Sequence, residues 1–329
     1  MSTPAQLKVE NLVTEFATRD GIVRALDEVS FELHAGQIMG LVGESGSGKS
    51  LTGFSIMGLL DHPGRVAAGR ILLKGQDIRS MNAEQVRQMR GNRMAMIFQD
   101  PMMTLNPVMK ISAQMIEAIQ AHRRVSKAVA LDECRAALAM VGIPSPDERL
   151  SAYPHQFSGG MRQRVAIAIA LLNKPDVIIA DEPTTALDVT IQGQILAEVQ
   201  KICRQTGTSV IWITHDLSVV SGLADHISVM YAGRIVEQGA SAEVLGNPSH
   251  PYTRGLIRSV PAANPPNQPL YQIPGMTPAL SQLPPGCSFS PRCELSTEVC
   301  LQTPLVSAMD AGHTVRCFHP YREPLELSK

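Results

Sequence analysis

Eight consecutive residues, Gly43-Glu44-Ser45-Gly46-Ser47-Gly48-Lys49-Ser50, match the pattern G-x-x-x-x-G-K-[ST] without a mismatch. Glycines at Gly43, Gly46 and Gly48, with Ser45 among them, allow a tight turn whose backbone N–H groups point at one place. A helix beginning at the end of this turn adds its positive pole, so the stretch reads as a cradle for a phosphate anion. Lys49 carries a charge that can reach outer phosphates, and the Ser50 hydroxyl can hold Mg²⁺. The flanks agree: Gln37–Val42 is an apolar run of strand length, and Leu51–Leu60 spaces its large apolar residues as a helix does. A plain glycine-rich surface turn would not require strand, turn, helix and Lys-Ser in one register.

A second stretch, Val177-Ile178-Ile179-Ala180-Asp181-Glu182, is a buried strand ending in two carboxylates. Asp181 is expected beside the phosphate cradle, sharing Mg²⁺ with Ser50. Glu182 can orient and deprotonate a water for attack on a terminal phosphate. Alone, the pair could equally be acidic residues capping a strand; behind a phosphate cradle the catalytic reading is the stronger one. A third stretch, Phe157-Ser158-Gly159-Gly160-Met161-Arg162-Gln163, places a serine and two small residues at a helix start, a second candidate anion site.

These stretches need a scaffold, and the 329 residues can supply one large domain plus a smaller one. A net charge of −1 speaks against a general binder of nucleic acid or anionic membrane. Residues 1–10 show no basic start followed by an apolar run, and no stretch approaches the roughly 20 apolar residues that span a bilayer. The chain is expected to be soluble and to meet a membrane only through partners. Residues 5–35 read as strands around Gly21, 69–78 as a strand and turn, and Arg93–Gln99 as a strand entering a loop broken by Asp100-Pro101. From Ile111 to Val141 the period becomes helical, with Ile111, Met115, Ile116 and Ile119 on one face and Leu131, Cys134, Leu138 and Val141 on another. Residues 158–172 read as a helix opened by a glycine turn, and Val189–Arg204 as a helix. A strand is expected over Ser209–Thr214 and a closing hairpin over Ile227–Val236, broken at Ala232-Gly233.

In this order the motifs resemble those of the ATP-binding subunits of ABC transporters, whose Leu-Ser-Gly-Gly-Gln signature stands here as Phe157-Ser158-Gly159-Gly160-Met161. Phe157 and Met161 depart from the commonest form; the central Ser-Gly-Gly is kept. The resemblance covers roughly residues 6–260. It implies an α/β fold, a P-loop NTPase (RecA-like) core with an antiparallel β subdomain and a helical subdomain, followed by a loop-rich C-terminal extension. The expected boundaries are 5–255 for the nucleotide-binding domain, about 104–160 for its helical subdomain, and 256–329 for the extension. Gln99 resembles the Q-loop glutamine that senses Mg²⁺ and the attacking water. Ala186-Leu187-Asp188 resembles the D-loop, which touches the opposite site. His215 resembles the switch histidine, a donor to the γ-phosphate. Phe16 would stack on adenine as the A-loop aromatic does, although a core position suits it as well. The family works as a sandwich: two ATP molecules join two such domains, Ser158 and Gly160 of one facing the phosphates held by the other, and hydrolysis lets them part. The region from Gln99 to Pro107 and on toward Ile111 would pass that motion to membrane subunits.

His250-Pro251-Tyr252-Thr253-Arg254 and the prolines after it, Pro261 to Pro285, are similar to the C-terminal extension of oligopeptide, dipeptide and nickel importers. Asn106-Pro107 and Tyr153-Pro154-His155-Gln156 look like that subfamily too. The resemblance implies an ATPase powering peptide import, with nickel, glutathione or another small solute as the alternative cargo. Its implied partners are two transmembrane permease subunits, a periplasmic binding protein and a second ATPase subunit, related rather than identical since the family often pairs two different ones. The implied location is the cytoplasmic face of the inner membrane. An ABC ATPase acting on DNA or ribosomes would show a long coiled-coil insertion or two fused cassettes, and a P-loop kinase would need no Ser-Gly-Gly-Met helix. Cys287, Cys293, Cys300 and Cys317 follow a C-x5-C-x6-C-x16-C spacing, while Cys134 and Cys203 sit alone in helical patterns. Four thiols in a segment with a poor core suggest a metal staple, and zinc, a [4Fe–4S] cluster and free thiols all stay open on spacing alone. Some peptide-importer ATPases resembling this chain carry such a cluster, which favours iron–sulfur.

Overall fold

The computed structural model describes residues 4–184, 189–260, 271–310 and 312–325. The chain opens with strands β1 (Leu7–Thr18), β2 (Gly21–Leu33) and β3 (Ile38–Val42), then helix α1 (Lys49–Met57). Strands β4 (Gly64–Leu73) and β5 (Gln76–Asp77), helix α2 (Ala83–Met89) and strand β6 (Met94–Ile97) follow. A helical stretch comes next, with α3 (Ile111–Gln120), α4 (Lys127–Met140), α5 (Pro146–Leu150) and α6 (Gly159–Leu171). Strand β7 (Val177–Asp181), helix α7 (Val189–Thr206), strand β8 (Ser209–Thr214) and helix α8 (Leu217–Ser221) continue the alternation. The last elements are β9 (His226–Tyr231), β10 (Arg234–Ala240), α9 (Ser241–Gly246), α10 (Pro251–Arg258), β11 (Ser307–Asp310) and β12 (His313–Val315).

The chain divides into two compact units. The first holds residues 4–7, Leu33–Gln37 and Leu73–Ile211; the second holds Lys8–Glu32, Ile38–Leu72 and the described residues from Trp212 onward. In the first unit β6 and β7 pair in parallel, Met94 opposite Val177 and Ile97 opposite Ala180. Both strands are almost continuously apolar, as a strand covered on both faces requires. The helical stretch buries Ile111, Met115 and Ile119 from α3. Helix α4 departs from its sequence reading: Ala130, Cys134, Ala137 and Leu138 point inward, whereas Leu131 is half-buried. Ser126 caps α4 by accepting the Val129 N–H, and the buried residues Ala130, Cys134, Ala137 and Leu138 form an i, i+4, i+7, i+8 stripe with Leu131 at its border. Helix α2 was hidden in a polar stretch and depends on a capping box, Asn82 with Gln85.

In the second unit β2, β1 and β4 lie side by side in that order, and β3 pairs in parallel with β9, Val42 opposite Val229. Strand β4 starts at Gly64, earlier than the apolar run at Ile71–Leu73, because its first half is too exposed to carry a hydrophobic signal. Strands β9 and β10 form the expected antiparallel hairpin, with a bulge between Ile235 and Glu237. The tail is more ordered than its prolines imply. Strand β12 pairs antiparallel with β10, placing Val315 opposite Glu237, and β11 pairs with β12. The prolines at 261–269 lie outside the described residues.

The bulge in β10 turns a carboxylate inward, and the structure around it satisfies that group completely. Glu237, 1% exposed, accepts the N–H groups of Ser249 at 2.6 Å and His250 at 2.9 Å, and pairs with His313 Nε2 at 2.8 Å. The hydrogen bond to Glu237 raises the pKa of His313 above its ordinary value. Burial pushes His250 the other way, down to about 4. The signs separate the two groups. His313 stabilises the fold fully below an ordinary pKa of about 6.5, and that contribution is lost as pH rises through its raised value. His250 contributes stability above about 6.5 that is lost as pH falls toward 4. Replacing His313 by Gln should therefore cost about 2 kcal/mol near pH 6, with the difference from wild type shrinking steadily above neutrality. Urea unfolding midpoints across pH measure this, and a difference that does not vary with pH contradicts it.

Candidate functional site

The phosphate cradle belongs to the second unit. Strand β3 is buried throughout and delivers Gly43 at its end, where φ is +153°. A Cβ on Gly43 would stand 2.2 Å from Met230 O and 2.9 Å from Ser47 Oγ, so only glycine passes this point. Gly48, at φ +104°, is the N-cap of α1, and a Cβ there would meet Leu26 Cδ2 at 2.8 Å. Gly46 differs: its φ of +79° favours glycine, yet nothing lies within 4 Å of its would-be Cβ. Lys49 is 5% exposed, and its Nζ donates to Gly43 O at 2.8 Å and Glu44 O at 2.9 Å. These two carbonyls hold the ammonium against the loop it serves. Ser50 is the next residue of α1, at the mouth of the cradle.

Phe16 and His215 are in the same unit. Phe16, half-buried on β1, packs on Gly64 and lines a cavity of about 980 Å³ together with Ser45, Gly46 and Leu51. An aromatic face beside the phosphate cradle is what base stacking requires. His215 is exposed at the end of β8. Its backbone is pinned from both sides, since Thr214 Oγ1 accepts the Asp216 N–H at 3.0 Å and the Asp216 side chain caps α8 at Ser218 N–H, 2.8 Å.

The first unit holds the carboxylates. Asp181 ends β7 and is 5% exposed. Glu182 follows at φ +44°, a left-handed conformation that a non-glycine residue adopts at a cost of about 1 kcal/mol or more. Gln99 Nε2 donates to Glu182 Oε2 at 3.1 Å, which joins two residues separated by 83 positions that sequence order alone had linked. Ser158 is the N-cap of α6, its Oγ accepting the Met161 N–H at 3.3 Å. Gly159 is exposed, and a Cβ there would meet nothing within 4 Å. Phe157, the departure from the commoner leucine, is buried with Arg149 Cζ 5.7 Å from its ring centre. Met161, the other departure, follows on the first turn of the helix. Asp188 lies outside the described residues. Between Gln99 and α3 three large apolar residues are turned outward, Met102, Met103 and Val108, the last two more than 70% exposed.

Sequence reasoning missed the partners of Glu44. Its carboxylate takes a two-pronged contact from Arg292, Nη1 to Oε2 at 2.7 Å and Nη2 to Oε1 at 3.0 Å, and accepts from Thr277 Oγ1 at 2.5 Å. Burial pushes the Glu44 carboxyl up, but the bonds from Arg292 and Thr277 outweigh it and hold the group below its ordinary value. The Glu44 N–H donates to Tyr252 Oη at 2.8 Å, which gives the tyrosine of His250-Pro251-Tyr252 a task in the loop. His250 Nδ1 accepts the Tyr252 N–H at 3.0 Å and so caps α10. No local pattern marks these contacts, because Glu44 and Arg292 are 248 residues apart.

Cys287, Cys293, Cys300 and Cys317 are free thiols in the second unit. Cys287 N–H donates to Cys300 O at 2.9 Å, and His319 N–H to Cys317 Sγ at 3.3 Å. Burial raises the thiols of Cys287, Cys293 and Cys317, the last to about 12, and charge on the neighbouring sulfurs adds to each rise. Among the described residues no group of three or more His, Cys, Asp or Glu is arranged to hold a metal ion.

Comparison with known proteins agrees with this assembly of motifs. The ABC transporter family pattern matches residues 26–185, and that of the oligopeptide/dipeptide transporter C-terminal region matches residues 236–300. The chain is 45% identical to the oligopeptide transport ATP-binding protein OppD of Salmonella typhimurium, over 97% of its own length and 95% of that protein. It is 48% identical to the dipeptide transport ATP-binding protein DppD of Bacillus subtilis, over 95% of this chain and 94% of the relative. Among solved structures, the ATP-binding cassette MJ0796, described as a dimer in a post-hydrolysis state bound to ADP and Pi, superposes with a TM-score of 0.65 at 25% identity. That match covers 71% of this chain and 98% of the cassette. Clostridium perfringens cbiO1, part of the ABC transporter complex cbiONQ, gives 0.63 at 27% identity, covering 73% of this chain and 90% of its own.

The two glycine environments make a paired prediction. Gly43→Ala should lose about 3 kcal/mol or more, since a backbone carbonyl must move, whereas Gly46→Ala should lose about 1 kcal/mol from backbone strain alone. Denaturant unfolding of the two variants measures the gap; equal losses would contradict the steric account.

Proposed function

This chain belongs to the ATP-binding subunits of oligopeptide- and dipeptide-type ABC transporters, and from that membership we propose how its residues divide the work of peptide import. The protein is an ATPase coupled to transport, and its solutes are di- or oligopeptides. It acts at the membrane as a peripheral subunit beside permease subunits, with a substrate-binding protein delivering cargo. No helix among the described residues is long and apolar enough to cross a membrane. The phosphate cradle carries this reading, because a glycine that no other residue can replace brings Lys49 to the loop mouth.

In the proposed mechanism residues 5–255 carry the nucleotide motifs, with about 104–160 as the helical subdomain, and 256–329 form the extension. Lys49 draws the outer phosphates of ATP, and the base stacks on Phe16. Ser50 and Asp181 would hold Mg²⁺, with Gln99 directed at the ion and the attacking water. The ion, when bound, would supply positive charge that offsets the charge of the phosphates. Glu182, aimed by Gln99, takes a proton from water as the water oxygen bonds the γ-phosphorus, and the bond to the ADP oxygen breaks. His215 donates to the γ-phosphate. Ser158, Gly159 and Gly160 serve the nucleotide held by the partner, and Asp188 touches that partner's site. The bare approach to Gly159 supports this, since its own unit does not fill that space. The partner is a related, different ATPase subunit, and the pair sits on the cytoplasmic face of the inner membrane. Met102, Met103 and Val108 are the apolar contacts through which closure reaches the permeases.

For the four cysteines we propose a [4Fe–4S] cluster, ahead of zinc. What supports it is the donor set, four cysteine sulfurs in one loop-rich segment; among the described residues no three of them are arranged to hold a metal ion, so loading would have to draw the sulfurs together. Such a cluster would be held by Cys287, Cys293, Cys300 and Cys317 and would staple the segment around them.

Two measurements test these roles. In the assembled transporter Glu182→Gln should keep Mg-ATP affinity while cutting turnover by about 100-fold or more, and turnover near wild type removes Glu182 from its role. Protein purified without oxygen should absorb broadly in the visible and carry about four iron atoms per chain, with both lost in Cys293→Ser. Colourless, iron-free and folded protein overturns the cluster.

A further inference from the structure

We propose that the C-terminal region is a working wall of the nucleotide site, and that Arg292 is a positioning residue that acts on bound ATP through Glu44. The proposal rests on ATP occupying the phosphate cradle, and it adds a part of the chain that the motifs leave out. Glu44 is the second residue of that cradle, so a carboxylate stands in a loop whose ligand is a polyanion. Uncompensated, it would repel the phosphates that Lys49 attracts. Arg292 neutralises it with both prongs of its guanidinium, and Thr277 adds a hydroxyl.

Arg292 cannot easily leave this post. It is 7% exposed, its Nε donates to Pro274 O at 2.9 Å, and its Nη1 also reaches Thr277 Oγ1 at 3.2 Å and Tyr231 Oη at 3.4 Å. From Glu44 the restraint passes along the loop, for the Glu44 carbonyl accepts Lys49 Nζ and the Glu44 N–H meets Tyr252 Oη. Arg292 thereby fixes the residue that fixes the phosphate-binding lysine. A second observation points the same way. Thr277 begins the segment running to Leu283 that forms one wall of the 980 Å³ cavity, alongside Phe16, Ser45 and Gly46. The segment that tethers Glu44 also closes the space in which the base would lie.

The test measures Mg-ATP affinity of the purified full chain, and KM and kcat for ATP in the assembled transporter. Arg292→Gln, which leaves the carboxylate bare, should weaken Mg-ATP binding by about tenfold, with KM rising more than kcat falls. Adding Glu44→Gln to that variant replaces the bare charge by a neutral amide and should restore affinity to within about threefold of wild type. A residue that merely holds the tail together would show no such rescue. Arg292→Lys keeps the charge without the fork and should weaken binding by about threefold; it carries the test should Arg292→Gln not fold. Wild-type affinity in the folded Arg292 variant, or failure of Glu44→Gln to rescue it, overturns the proposal. Lys49→Ala separates the two levels. If wild type binds Mg-ATP and Lys49→Ala does not, unchanged binding in Arg292→Gln defeats the clamp alone. If Lys49→Ala binds as wild type does, the nucleotide reading falls too.

Discussion

The phosphate cradle depends on one close approach: the backbone at Gly43 passes so near Met230 O that no side chain fits between. That approach follows from the parallel pairing of β3 with β9, which runs to Val42 opposite Val229 and brings the next residue of each strand to the same edge. An apolar strand buried throughout fixes the entry to the loop, and helix α1, capped by a glycine in left-handed geometry, fixes the exit. Between these two anchors the loop has little freedom. Its amides and Lys49 are therefore set before any ligand arrives, which is the physical sense of preorganisation at a charged site.

The acidic end of β7 is arranged with similar economy. Burial of β7 carries Asp181 to a strand end, and the left-handed Glu182 turns the next side chain away from the strand direction toward Gln99. A residue held in a costly conformation and hydrogen-bonded there is a common mark of a working site. In the same unit Ser158 spends its hydroxyl on capping α6 and leaves Gly159 open. The rest of that helix is closely packed, from Val165 to Ala168.

Local grammar made much of this legible. The glycines at 43, 46 and 48, the apolar run into Asp181-Glu182 and the cap at Ser158 each announce themselves within a few residues, and the structure forms the elements they imply. Three features had no such signal. Ala130 is buried and Leu131 only half so, because tertiary packing selects the inward stripe and the small alanine carries no hydrophobic signal of its own in the sequence. Strand β12 is three residues long in a proline-rich tail, too short for alternation to show. The Arg292–Glu44 pair spans most of the chain, and a single sequence carries no trace of a contact between such distant positions.

The placement of β12 bears on how the protein is made. Synthesis runs from the N-terminus, so β10 emerges well before the residues that will cover its free edge. Until His313–Val315 have left the ribosome, that edge displays unsatisfied amides and carbonyls, and the inward carboxylate of Glu237 waits for its imidazole. The edge of β10 is thus covered only by residues made well after it, which leaves a nascent chain stopped before His313 with an adhesive border on β10 that the pairing with β12 removes.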